Sequence, residues 1–228
     1  MTQHQRRIAL QYGAGVLILV LGVVMMIRSQ IGPAPWDTFT YHLHAWLGVT
    51  LGTAAFFIQT GLIIIIMLVR RSWAYLKVFV SIVCISAALD FWNIWVFRDY
   101  YPTALTMRLF LYALGMWLLS FGLGLLILSS FKAAAVDETM LLYKDLLKSK
   151  TWFLPRIMAE ATGLIFGLLT GILGGIGLGI INFGTLFVMI VLPFLLSIQM
   201  RWMHPIFTVG NVNTPLVVFG AGPLDEQT

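Results

Sequence analysis

Six stretches of this chain, each roughly twenty residues long and almost wholly apolar, dominate what it can fold into: Ile8–Ile27, Leu51–Val69, Val78–Phe97, Ala104–Leu128, Phe153–Leu173 and Leu178–Met200. An α-helix of about 20 residues crosses the hydrocarbon core of a bilayer, and backbone surrounded by lipid must satisfy its hydrogen bonds within itself. The expected fold class is therefore all-α, a polytopic membrane protein with six transmembrane helices. Composition agrees: 60% of residues are hydrophobic, 10% are charged and the mean hydropathy is +0.93, outside the range of soluble domains. The first stretch is too long for a signal sequence and lacks an Ala-x-Ala cleavage site, so it counts as a span. The single cysteine, Cys84, lies in the third stretch and excludes an intrachain disulfide.

The formal charge of +5 could suggest a nucleic-acid partner, but its distribution points to membrane orientation instead. With the N-terminus in the cytoplasm, Arg6, Arg7, Arg70, Arg71, Lys77, Lys132, Lys144, Lys148, Lys150, Arg156 and Arg201 lie inside. Only Arg28, Arg98 and Arg108 lie outside, a clear positive-inside split. Trp46, Trp73, Trp152 and Trp202 fall near span ends, where amphipathic rings favour the interface. Both termini are then cytoplasmic, and Pro205–Thr228 reads as a polar tail punctuated by glycine and proline.

The chain also resembles itself. A shift of one hundred residues aligns Tyr12 with Tyr112, Gly15 with Gly115, Gly22 with Gly122, Ser29 with Ser129 and Asp37 with Asp137. With two more residues, Thr60-Gly61 meets Thr162-Gly163. Each half holds three spans, so the second half enters the bilayer from the opposite side. Two inverted three-helix repeats are expected, residues 1–103 and 104–200, followed by a cytoplasmic tail at 201–228. Secondary transporters commonly use this layout, because exchanging the conformations of the halves exchanges outward-open and inward-open states. Duplication can equally build a stable bundle that moves nothing.

Between the first and second spans lies "IGPAPWDTFTYHLHAWLG", whose counterpart is "FKAAAVDETMLLYKDLLKSK". Each places an aspartate near the first turn of a helix, where the positive dipole end favours it. Apolar residues follow at helical spacing, Trp36, Phe39, Leu43, Trp46 and Leu47 in one, Val136, Met140, Tyr143 and Leu147 in the other. Such helices lie on the interface as amphipathic elements or dip into the bilayer as re-entrant half-helices. Asp37 and Asp137, with Trp36, Pro35 and Gly32, are candidates for gating a central path or for helix capping.

The segments "IRSQIGPAPWDTF", "LGTAAFFIQTGLIIIIMLV" and "GLGIINFGTLFVMIVLPFLL" resemble the YczE/YyaS/YitT group of bacterial membrane proteins, over roughly Gly13 to Met200. Gly32-x-x-Pro35-Trp36-Asp37 is the most specific piece, followed by Gly52-Thr53, Gly184-Thr185 and Pro193. The resemblance implies a polytopic helical fold and a location in the bacterial plasma (inner) membrane.

Ionisable side chains inside a span cost about 2.5–3.5 kcal/mol on insertion scales and usually face the bundle interior. Asp90 and Glu160 qualify and are substrate- or ion-binding candidates, together with Thr60, Thr162 and Gln59 near the middle of spans. For Glu160 a local pairing with Arg156, four residues earlier on the same helix face, is an equal alternative. The threonine hydroxyls could instead bond the preceding turn of their own helices. Gly163, Gly167, Gly171 and Gly175 form a smooth stripe suited to close helix contact. His42 and His44 fall on different helix faces and read as solvated surface residues. No Walker loop, zinc-ligand spacing or nucleophile–base constellation is visible, so neither a cofactor, a metal nor an enzymatic activity is expected.

The function these features favour is a secondary transporter or permease for a small solute, cationic or proton-coupled. The alternatives are the substrate-capture subunit of a multi-component importer and a non-transporting accessory or regulatory membrane protein. The expected partners are the lipid bilayer, an unidentified small molecule and a second copy or other membrane protein, with no nucleic acid.

Overall fold

A computed structural model describes residues 3–98, 100–129, 135–149 and 153–208. These residues are helical almost throughout: α1 (Gln3–Ser29), α2 (Pro35–Leu47), α3 (Leu51–Arg70), α4 (Val78–Asp90), α5 (Leu105–Leu128), α6 (Ala135–Leu146), α7 (Phe153–Leu173) and α8 (Phe183–Phe207). A 3-10 turn, Trp73–Lys77, leads into α4, and a π-helical segment, Phe91–Val96, extends it. Counting α4 with those flanking turns, six helices are long and apolar enough to cross a membrane, and five of the six predicted spans match within a few residues at each end. The sixth begins later than predicted, at Phe183, because Gly177 and Gly179 take positive φ values of 67° and 53° and hold Leu178–Ile181 in a turn. It also runs on to Phe207, so the first residues of the predicted tail are helical, and 209–228 lie outside the described residues.

The centre of the bundle is the seam between α1 and α5, which run antiparallel. A Cβ on Gly22 would overlap the backbone of Leu119 and Gly115, and a Cβ on Gly122 would overlap the backbone of Leu19. Gly15 in turn faces Gly122 O, and Gly115 faces Gly22 O. The contacts are reciprocal: residue i of one helix meets j of the other, and j meets i, the signature of an isologous interface. Four glycines let the two backbones approach closely enough for van der Waals packing to hold them where lipid removes most of the hydrophobic drive.

The remaining packing follows the same reciprocity. α2 lies on α7 while α6 lies on α3, and α4 flanks α1 while α8 flanks α5. Ser29 and Ser129 each return a hydroxyl to the carbonyl three residues earlier, on Met26 and Leu126. Tyr112 donates to Gly184 O on α8 at 2.7 Å, and the Tyr12 hydroxyl faces Ser81 on α4. Both short helices are followed by a left-handed residue at matching positions, Gly48 (φ 65°) and Lys148 (φ 47°).

The two short helices start at the middle level of the bundle and run to opposite ends of it. α1 ends beside the start of α5, where Arg108 donates to Ser29 O and Gln30 O at 2.7 and 2.8 Å. The chain then turns back on Gln30 (φ 56°) and Gly32 (φ 134°), where a Cβ on Gly32 would sit 2.5 Å from Thr185 N. Pro35, at the first helical position with its φ already fixed, starts α2 level with the middle of α1. From there α2 climbs along α7, Trp36 on Gly163, Thr38 on Gly167, His42 on Gly171 and Trp46 on Gly174. The glycine stripe thus receives a half-helix rather than another span, and Gly175 lies in the turn beyond it with φ 70°. α6 runs the other way, from the same middle level to the opposite end, where Arg70 meets Asp145 at 2.5 Å.

This packing overturns the expectation for His42. Its ring is fully buried and shares a 2.7 Å hydrogen bond between Nδ1 and Gly167 O. Spacing alone hid this, because the face of α2 that carries His42 is covered by a helix distant in sequence. His44 is part-buried, its Nδ1 bonded to the Val49 carbonyl.

Candidate functional site

The first turns of α2 and α6 meet at one cavity of about 120 Å³ in the middle of the bundle. Its apolar walls are duplicated across the seam: Leu19 and Leu119, Val23 and Leu123, and Leu89 of α4 with Leu192 of α8. Its polar lining comprises Asp37 and Thr40 of α2, Gln59 of α3, Asp137 of α6, and Arg156 and Glu160 of α7. Asp37 and Asp137, one hundred residues apart in sequence, thus face one space from opposite half-helices.

The two aspartates are treated differently. Arg156 donates from Nη1 to Asp137 Oδ1 at 3.2 Å and from Nη2 to Glu160 Oε1 at 2.8 Å. The local pairing expected for Glu160 is present, but it is half of a clamp that also spans to α6. Asp37 has no such clamp. It sits at the third helical position of α2, whose N-cap residue, Ala34, makes no side-chain cap bond. Trp36 anchors that turn by donating from Nε1 to Ala159 O at 3.0 Å, and Thr40 donates back to Trp36 O at 3.0 Å. Around the cavity, Gln59 Oε1 and Glu160 Oε2 are buried acceptors without partners, and Arg156 Nε is a buried donor without one.

Among the sequence candidates, the structure gathers Glu160, Gln59, Asp37, Asp137, Trp36 and, less directly, Pro35 and Gly32, which set the re-entry of α2. Asp90 lies elsewhere. Its carboxylate accepts from Gly52 N at 2.7 Å and Thr50 Oγ1 at 2.7 Å, capping the start of α3 from a neighbouring helix. Thr162 bonds Met158 O in its own helix and the Tyr143 hydroxyl, each at 2.8 Å, and Thr60 has a buried hydroxyl away from the cavity. Arg156, expected as a cytoplasmic charge and as a local partner of Glu160, also lines the cavity and reaches across to Asp137. Its position one turn inside a span was the signal that it serves the interior. Among the described residues no three His, Cys, Asp or Glu side chains converge closely enough to hold a metal ion.

A bundle of membrane-length helices around a buried polar cavity defines a multi-pass, all-helical membrane protein. The chain belongs to DUF6198, a family of unknown function, whose pattern matches residues 6–201. It is 27% identical over 168 residues to the uncharacterized protein YyaS of Bacillus subtilis (strain 168), a match covering 74% of this chain and 82% of YyaS. It is 28% identical over 135 residues to the uncharacterized membrane protein YczE of the same organism, covering 59% of this chain and 61% of YczE. No solved structure matches.

Proposed function

We propose that this protein is a secondary transporter for a small, positively charged solute, built from two inverted repeats, residues 1–103 and 104–200, in the bacterial inner membrane with both termini cytoplasmic. One observation carries the reading: the first turns of two half-helices that run to opposite ends of the bundle open on a single buried cavity lined by three carboxyl groups and one guanidinium. Broken helices whose ends face a midplane site are the arrangement by which carriers bind a solute between repeats. Alternating access then consists of rocking one pair of re-entrant and spanning helices against the other about the α1–α5 seam. The looser side of the molecule, where α7 scarcely touches α8, supplies a place for that movement, whereas the corresponding α3 and α4 pack closely.

The positive-inside split and the duplicated Tyr, Gly and Asp positions support the orientation. The test is solute-induced current from proteoliposomes on a solid-supported membrane, challenged with a panel of small amines and guanidines. Current that saturates with solute and disappears in Asp37→Asn is expected. A protein silent to every cation in the panel, or one whose current is indifferent to Asp37, overturns the reading. A second check labels Gly48→Cys and Lys148→Cys in a Cys84→Ser background of intact cells. Reaction from opposite sides is expected, and reaction from one side ends the inverted-repeat account.

A further inference from the structure

The proposed transport site can be given a chemical specificity. We infer that the central cavity binds a small primary ammonium, R–NH3+, with Asp37 as its counter-ion and Gln59 and Glu160 as its further acceptors. This rests on the transport reading for its biological meaning but not for its chemistry.

Charge comes first. Each half-helix N-terminus presents about +0.5 of an elementary charge, and Arg156 adds one. Together these give about +2, opposed by the carboxyl groups of Asp37, Asp137 and Glu160. When all three are ionised, the site is short of about one positive charge, which a monovalent cation supplies. An anion, which helix N-termini alone would favour, meets three carboxylates instead.

Hydrogen bonding narrows the cation. The indole of Trp36, the hydroxyl of Thr40 and both terminal nitrogens of Arg156 already have acceptors. Buried acceptors left unmet are Gln59 Oε1 and Glu160 Oε2, on residues only 9% and 4% exposed, beside the carboxylate of Asp37, which has no ion pair among the described residues; against them stands one unmet buried donor, Arg156 Nε. A buried acceptor without a partner costs about 1–3 kcal/mol, so a ligand that donates to it is strongly preferred over one that only carries charge. A primary ammonium has three donors in a compact head, matching these acceptors, whereas a quaternary ammonium has none.

Size and polarity set the rest. A cavity of about 120 Å³ is somewhat smaller than the ~150 Å³ apolar cavity that accommodates benzene, so a ligand of about five non-hydrogen atoms fits. Its apolar part would lie against Leu19, Leu119, Leu123 and Leu192.

The test uses the full chain in lipid nanodiscs and isothermal titration with three probes of matched size: n-butylammonium, tetramethylammonium and butyrate. n-Butylammonium is expected to bind at least tenfold more tightly than tetramethylammonium, and butyrate more weakly still. This comparison needs no variant. Asp37→Asn should lower n-butylammonium affinity at least tenfold, and Asp37→Glu, which keeps the charge, should recover part of it. Gln59→Leu should weaken n-butylammonium several-fold while leaving tetramethylammonium unchanged. Equal affinity for the two cations, preference for butyrate, absence of n-butylammonium binding, or indifference to Asp37 overturns the assignment. Labelled uptake in proteoliposomes separates the two proposals: n-butylammonium binding with no uptake of any cation in the panel leaves the site standing and refutes transport, whereas Asp37-dependent uptake of a panel cation without preference for n-butylammonium over tetramethylammonium does the reverse.

Discussion

The two aspartate-bearing half-helices occupy equivalent places in the bundle and lead different electrostatic lives. Asp137 is clamped by Arg156, which also holds Glu160. In the first half the positions matching Arg156 and Glu160 are Ala54 and Ile58, so Asp37 faces the cavity with no local cation. The packing thus corresponds between the halves while the charges do not. Close backbone packing demands the glycines on both α1 and α5, whereas the polar groups of a single shared site need not come in pairs. One half carries an internally neutralised carboxylate and the other an open one.

The greatest difference between the halves should therefore appear when the clamp is removed. Arg156→Met leaves Asp137 and Glu160 as uncompensated buried carboxyls and should cost about 3–5 kcal/mol, read as a lower unfolding midpoint in bicelles. Adding Glu160→Gln to Arg156→Met should restore much of that loss, because the two share one interaction and their effects are not additive. Equal, additive losses would mean that the arginine acts elsewhere.

The glycines provide the next test, now of what the halves share. Gly22→Ala and Gly122→Ala each force a methyl into the backbone of the opposite helix and should each destabilise by about 1–3 kcal/mol. Gly61→Ala, where a Cβ would meet nothing within 4 Å, should be neutral or stabilise by up to about 1 kcal/mol. Unequal losses at Gly22 and Gly122 would break the equivalence of the two sides of the seam.

How far these features could be read from sequence depends on the range of the interaction that fixes each. Spans were legible because the bilayer imposes a length, and the glycines at 22, 115 and 122 because each answers to a contact closer than a Cβ allows. The meeting of Asp37 and Asp137 followed from neither, since it depends on how far α2 and α6 re-enter. His42 shows the same limit: a polar residue on a short amphipathic helix looks solvated until the glycine face of α7 is known to cover it. Asp90 shows the converse, because an acid inside an apolar stretch signals interior placement without saying whether the partner is a solute or the open end of another helix.

Asp90 accordingly tests whether an acid in the bundle is structural. Asp90→Asn removes charge-assisted acceptance from Gly52 N and Thr50 and should cost about 1.5 kcal/mol of stability, with cation binding unchanged. A loss of binding without a loss of stability would return Asp90 to the working site and separate it from the capping role that its geometry describes.

Asp37 should behave in the opposite sense and give the smallest stability effect of all. Its carboxylate has no ion pair among the described residues and shares the cavity with that of Glu160, so Asp37→Asn removes an unfavourable charge interaction and leaves helix α2 anchored by Trp36 on Ala159. The expected change in unfolding free energy is within about 0.5 kcal/mol of zero, typical of a substitution that breaks no packing. Asp137→Asn, by contrast, strips the clamp of one acceptor and should destabilise by about 1–3 kcal/mol. Measured side by side, the pair asks whether two aspartates one hundred residues apart have divided the labour, one holding the fold and the other left free for a ligand; equal stability losses would show that they have not.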